Sequence, residues 1–152
     1  NLQSFNDSEE GVLPRKKVRL RTYDGKVFRK EEKYSSVEGR FKTTALDKIE
    51  LAPRMVLFDP LYGSVRPQVE VQYQRNYFVL GCYRITYDSN IIYRNRSDKL
   101  VTPCVFDYEN VIEFKSSVLS SSDNVLDIFG ELTSRFSKYC RGIIGLQMNR
   151  SG

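Results

Sequence analysis

The sequence predicts an α+β fold that is mainly antiparallel β: a tunnel-shaped β-barrel with a few short covering helices. Three observations carry this expectation. Asp24-Gly25 is a strong short-range turn signal between two strand-like runs. At least five runs alternate charged with apolar side chains, so that each strand would show one charged face and one apolar face. Two short stretches have helix-start signals and can cover the apolar side. A polar inside with an apolar outside suits a closed barrel, whose strands send alternate residues into the interior.

Length and composition bound the possibilities. A chain of 152 residues is read as one domain, long enough to bury a core. Tyr and Phe are abundant and Trp is absent, a β-leaning globular composition rather than a disordered one. The net charge of +5 points to an anionic partner. Three widely spaced cysteines, Cys82, Cys104 and Cys140, argue against a disulfide framework and are read as inert packing residues in a reducing compartment. With no His and no CxxC, a zinc site and the usual Ser/His or Cys/His nucleophiles drop out. No apolar run is long enough to span a bilayer and the first residues do not resemble a signal peptide, so a soluble, cytoplasmic chain without membrane insertion is expected.

The hairpin from Lys16 to Lys33 is the most informative segment. A two-residue loop at Asp24-Gly25 would mix charged and apolar groups on both faces. A three-residue loop of Tyr23, Asp24 and Gly25, with Gly25 left-handed at a bulge, shifts the parity by one. Lys17, Arg19, Arg21, Arg29, Glu31 and Lys33 then share one face, and Val18, Leu20, Phe28 and Tyr34 the other. Register follows the buried face, which favours the bulged turn. The cationic face points either to solvent or into a lumen holding a polyanion, since crowded cations repel one another unless an anion offsets them.

Residues 1 to 15 are polar and read as a connecting segment broken by Gly11 and Pro14. Val37 to Thr43 alternates, with Glu38, Arg40 and Lys42 against Val37 and Phe41. Thr44 and Asp47 have capping-box spacing, and Leu46, Ile49 and Leu51 suggest a short helix closed by Pro53. Met55 to Leu61 reads as a packed loop or helical turn. From Gln68 to Phe78 a strand carries Val69, Val71 and Tyr73, with Arg75 on the same parity, which calls for a bulge near Gln74 or a place at the strand end. Cys82 to Asp88 sets Arg84, Thr86 and Asp88 against Tyr83, Ile85 and Tyr87; a turn at Ser89-Asn90 would lead into a second strand from Ile91 to Arg96. Val111 to Lys115 sets Glu113 and Lys115 against Ile112 and Phe114. Asp123 can cap a helix with Val125, Ile128, Phe129 and Leu132 on one face, and the tail adds Arg135, Lys138 and Arg141.

Six pieces, in order along the chain, resemble one known family. They are Arg19-Leu20-Arg21 with Glu31-x-Lys33; Val37 to Phe41; Tyr73-Gln74-Arg75 with Tyr77-Phe78; Arg84 to Asp88; Ile112 to Lys115; and Phe136 to Tyr139. Together they resemble the VTC, or polyphosphate-polymerase, domain of the triphosphate tunnel metalloenzymes. The resemblance implies an antiparallel tunnel that holds ATP or another triphosphate and polyphosphate, with Mn²⁺ or Mg²⁺ assisting phosphoryl transfer. By the same resemblance Arg19, Arg21, Lys33, Arg75 and Arg84 hold phosphate oxygens, joined by Lys138 and Arg135 from the C-terminal segment, and Glu113 is the metal ligand. Catalytic weight would fall on Arg19, Arg21, Lys33 and Lys138. Positioning plus charge neutralisation is what phosphoryl transfer requires.

The resemblance also places two strands before residue 1. The chain is therefore expected to be a fragment, to have its wall completed by another segment, or to be open along an edge. Glu38 stands where the family has a lysine. Alternatives remain open at single residues: Glu113 as an internal partner of Lys115 or Arg84, and Lys138 as plain surface. For the whole chain, a non-catalytic module binding polyphosphate or inositol phosphates competes with the enzyme. A nucleic-acid-binding barrel is disfavoured, because the tyrosines are expected to alternate away from the arginines.

Overall fold

The computed structural model describes residues 3–50, 55–96, 104–116, 134 and 136–148. These residues form antiparallel sheets with two short helices, in two compact units, residues 1–68 and 69–152. None of the sheets closes on itself among the described residues. No described helix is long and apolar enough to cross a membrane.

The first unit opens with helix α1 (Gln3–Glu10), where a connecting segment was expected. Eight residues rarely hold a helix alone, and tertiary contacts supply the difference. Ser8 is buried, and Asp7 accepts a hydrogen bond from the Tyr62 hydroxyl at 3.1 Å. Strands β1 (Arg15–Arg21), β2 (Val27–Ser35) and β3 (Arg40–Glu50) follow as one sheet in that order. The turn has the expected parity, with Arg21 paired to Arg29, Arg19 to Glu31 and Lys17 to Lys33, but the connection is longer than the three residues expected, spanning residues 22–26 and displacing the register by two. Asp24 holds it, accepting from the backbone of Lys26 at 2.9 Å and Val27 at 3.1 Å and from the Thr22 hydroxyl at 2.8 Å. Those bonds, with the Lys26 amide leading, bring its carboxyl down to about 2. Gly25 takes the left-handed φ of 73° foreseen for it.

The helix expected after Thr44 is instead the second half of β3. Between the pairs Arg29↔Lys48 and Glu31↔Thr44, β2 has one residue and β3 has three. The two extra residues leave the parity of β3 unchanged, so Lys42 and Lys48 share a face, while the Leu46, Ile49 and Leu51 spacing imitates a helical turn. Glu38, expected on a strand, sits in the Ser36–Gly39 turn, whose ends exchange backbone hydrogen bonds. Met55 to Leu61, expected as loop or helical turn, contributes β4 (Leu57–Asp59), which pairs with β5 (Gly63–Val65). Asp59 shapes that turn by accepting from Leu61 and Tyr62 amides at 3.0 and 3.2 Å. Its other oxygen meets the buried Lys16 ammonium at 2.5 Å. Burial would lower the Lys16 pKa, but hydrogen bonds to Asp59, Tyr34 and Glu32 outweigh it and raise it.

In the second unit β6 (Val69–Leu80) and β7 (Tyr83–Asn95) form a long hairpin. The other edge of β7 carries β8 (Val105–Asp107) near Ile91–Tyr93 and β9 (Val111–Ser116) along Tyr83–Asp88. The turn expected at Ser89-Asn90 is not one, and β7 runs through it. Between Gln72↔Ile92 and Gln74↔Ser89, β7 has one residue more than β6, and Asn90 takes a φ of 53°. This bulge answers the question posed by Arg75. The parity of β6 is unbroken, and it is the partner strand that shifts. Arg84, Thr86 and Asp88 thereby share a face with Ile91 and Tyr93, and that face is apolar at one end and charged at the other.

Helix α2 (Lys138–Met148) packs on the apolar end. Ile91, Tyr93 and Leu146 form the core, with Val69, Val71, Tyr73, Val105 and Val111 around it. Gly142 permits the close approach, since a Cβ there would lie 2.8 Å from Tyr93 Cδ1 and 2.9 Å from Val69 Cγ1. Cys140 is buried in this packing, whereas Cys82, expected as a packing residue, is exposed in the β6–β7 turn. The expected helix at 125–132 and Arg135 lie outside the described residues.

Candidate functional site

The hairpin parity and the β2–β3 register collect basic residues on one face of the first sheet. Strand β1 contributes Arg15, Lys17, Arg19 and Arg21, and β2 contributes Arg29 and Lys33. From β3 come Arg40, Lys42 and Lys48. Two rows cross all three strands with nothing but cations: Lys17, Lys33 and Lys42 in one, Arg21, Arg29 and Lys48 in the other. Directly opposed like charges destabilise a sheet. The carboxylates on this face are Glu31, between the rows, and Glu50 at its end.

Glu31 is 5% exposed and gathers three of the cations. Arg19 binds it through Nε at 2.6 Å and through Nη2, Lys42 through Nζ at 3.1 Å, and Arg21 Nη1 stands 3.7 Å away. Burial pushes its carboxyl up, and the hydrogen bonds from Arg19 and Lys42 more than reverse this, so it stays ionised and below the ordinary glutamate value. Arg19 and Lys42 remain about half exposed, at 47% and 46%. A guanidinium has five N–H donors and an ammonium three, so donors remain for an external anion.

The second unit builds a different arrangement on the charged end of its sheet. Asp88 is 1% exposed and accepts from Arg75 Nε and Nη2 at 2.5 and 2.6 Å and from Lys138 Nζ at 2.5 Å. Burial raises the Asp88 carboxyl, and the two cations overcome it and hold it low. The bond to Asp88 raises Arg75 in turn. Tyr73 lies under both cations, its ring centre 5.1 Å from the Arg75 guanidinium and 5.0 Å from Lys138 Nζ. The expectation that tyrosines turn away from the arginines therefore fails at Tyr73, because β6 keeps its parity through the bulge.

Lys138 begins α2, where Ser137 caps the helix by accepting from the Cys140 amide on its hydroxyl at 3.5 Å and from Arg141 on its carbonyl at 3.0 Å. The helix is anchored by Arg141, which binds Asp107 through Nε at 2.8 Å and Nη2 at 2.9 Å, with the Tyr93 hydroxyl donating to the same carboxylate at 2.7 Å. That anchoring fixes Lys138 over the sheet. Across the strands Thr86 pairs with Tyr77 on one side and Glu113 on the other, and Arg84 pairs with Val79 and Lys115. Arg84 is exposed and makes no ion pair among the described residues. Glu113 is 3.3 Å from Lys115, both about half exposed.

Of the residues singled out in the sequence, Arg19, Arg21 and Lys33 come together on the first unit's face, and Arg75, Arg84, Glu113 and Lys138 on the second's. Lys42, Asp88 and Tyr73 complete these groups and were not singled out. The alternation of Arg84 and Asp88 in β7, and of Tyr73 and Arg75 in β6, was the available signal. No group of three Cys, Asp or Glu side chains among the described residues could hold a metal ion.

Comparison with curated proteins and with solved structures finds no match. The family model of the VTC domain matches residues 47–146. The match starts inside β3, leaving β1 and β2 outside it, and takes in all five second-unit residues named from the sequence, Arg75, Arg84, Glu113, Arg135 and Lys138. As it spans about two thirds of the chain, the chain belongs to the VTC domain family.

Proposed function

We propose that the protein grips triphosphate and polyphosphate on these cationic faces and transfers phosphoryl groups from ATP with help from Mn²⁺ or Mg²⁺. The carrying observation is the pair of all-cation rows in the first unit, Lys17/Lys33/Lys42 and Arg21/Arg29/Lys48. A polyanion laid across them would meet cations from all three strands at once. Membership in the VTC domain family supports a polyphosphate-related role. Each face, taken by itself, is a candidate for part of a tunnel wall, the arrangement expected from the alternation of charge.

Within this reading Arg19 and Arg21 use their outer N–H groups on phosphate oxygens while Glu31 holds them in place. Arg75 and Lys138 do the same from Asp88. Charge neutralisation by such forks lowers the barrier without covalent help from protein. Glu113 fits a divalent ion only as one carboxylate among phosphate oxygens and water, the way Mg²⁺ usually sits. When bound, the ion supplies further neutralisation of the phosphates.

Calorimetry with tripolyphosphate tests the grip. Arg21→Ala is expected to lose most of the affinity, and unchanged binding would discard the assignment. ATP with Mn²⁺ tests turnover by chain growth or phosphate release. A non-catalytic module that binds polyphosphate or inositol phosphates is the second reading. It is favoured by the Lys115–Glu113 pair, since Lys115 competes with a metal for that carboxylate. Binding without turnover would select it.

A further inference from the structure

Thr86 has a feature that its strand neighbours lack. The residue is 8% exposed, and its hydroxyl oxygen is buried with no hydrogen-bond partner. Buried hydroxyls in native folds are paired in the great majority, and an unpaired one costs free energy. The strand pattern points the side chain onto the charged end of the second sheet: Arg84 and Asp88 flank it along β7, and Tyr77 and Glu113 face it across the ladders. No apolar neighbour is required there by the core, which lies at the other end of β7.

We propose that the Thr86 hydroxyl is a substrate-binding group that donates a hydrogen bond to a phosphate oxygen held by Arg84. The inference rests on the phosphate reading of this face and adds a neutral, directional contact to it. Cations attract a polyanion from any direction, whereas a hydroxyl on a rigid strand fixes where one oxygen sits. The cross-strand partners of Thr86, Tyr77 at 66% exposed and Glu113 with a side chain 46% exposed, have room to turn aside for an incoming ligand. An oxygen accepting from both Thr86 and Arg84 would lie between alternate residues of one strand, about 7 Å apart at their Cα atoms, within reach of a long arginine.

The test is tripolyphosphate binding by calorimetry, at several salt concentrations, with the whole chain and the variants Thr86→Val, Thr86→Ser and Arg84→Ala. Thr86→Val keeps the shape and removes the hydroxyl, so affinity should fall about tenfold, in line with a hydrogen bond to a charged group. Its salt dependence should match wild type because no charge is lost, whereas Arg84→Ala should bind weakly with a shallower salt dependence. Thr86→Ser should recover most of the affinity. The melting temperature of Thr86→Val without ligand should equal or exceed that of wild type, since the substitution removes an unpaired buried group. Wild-type affinity in Thr86→Val alongside weak binding in Arg84→Ala would overturn the Thr86 contact and leave the phosphate reading standing. Wild-type affinity in both would overturn the phosphate reading of this face and the contact with it. A lowered melting temperature in Thr86→Val, with no recovery by Ser, would show a structural role and overturn the proposal.

Discussion

Asp88 is the residue on which the second unit's charged end turns. Nearly all of its surface is covered, and it takes three donor contacts from Arg75 and Lys138. Removing one member of such a buried set is costly because the charges left behind have no water to turn to. Asp88, Glu31 and Asp107 all have carboxyl pKa values held below their ordinary ones, in each case against the opposing pull of burial. A depressed folded-state pKa contributes stability that is fully present above the ordinary value and is lost as pH falls through the lowered one. The urea midpoint should therefore stay level from neutral pH down to about 5 and decline below it. In Asp88→Asn the midpoint should be lower at neutral pH and the acid decline smaller; an acid limb identical to wild type would show that Asp88 is not among the groups responsible.

At the scale of elements, the two bulges explain most of what the sequence did not disclose. The β1–β2 hairpin was legible down to its faces, because Asp24 and Gly25 allow few turns and only one parity separates Arg19 and Arg21 from Leu20. The second half of β3 was not, since a wide bulge places residues 45–47 opposite a single residue of β2 and the spacing of Leu46, Ile49 and Leu51 looks helical. In β7, Ser89-Asn90 has turn chemistry, but the chain uses the left-handed Asn90 as an inserted residue within a strand. Local residue preference cannot distinguish these outcomes, because the decision lies in pairing with a partner strand far away in sequence. The charged faces were foreseen where alternation is regular. Glu31 was placed on its basic face from the sequence, but its hold on three cations, and that of Asp88 on two, was not foreseen, because a lone carboxylate gives no sign of how many cations it will gather.

Helix α2 illustrates the dependence of a site on packing. Gly142 lets the helix lie close to Tyr93 and Val69, and Lys138 reaches Asp88 from its first turn. Gly142→Ala would improve helix propensity yet drive a Cβ into the Tyr93 ring, and overpacking of this kind costs about 1–3 kcal/mol. We expect a lower melting temperature and weaker tripolyphosphate binding together. A more stable variant would show that the approach of helix to sheet has slack.

For the whole molecule, charge is the common property. The chain carries 24 Lys and Arg against 19 Asp and Glu, a modest excess, but much of it is concentrated on the first unit's face. Attraction for a polyanion should then weaken steeply with ionic strength, since screening acts over about 8–10 Å at physiological salt. Tripolyphosphate affinity measured from low to moderate salt should fall continuously; a flat profile would mean that binding does not use these exposed cations. The family match begins within β3 and so does not cover the β1–β2 hairpin. The proposed phosphate role of Arg19, Arg21 and Lys33 therefore draws no support from that match, only from their shared face on the first sheet.

The extra residue at Asn90 has a consequence for what such a strand can carry. It separates β7 into two lengths whose side chains answer to different neighbours, one to the helix and one to the charged surface. The insertion reverses which residues reach the shared face, even-numbered Arg84, Thr86 and Asp88 before it and odd-numbered Ile91 and Tyr93 after it. A single inserted residue thus lets one strand set a greasy stretch and a charged stretch side by side on the same side of its sheet.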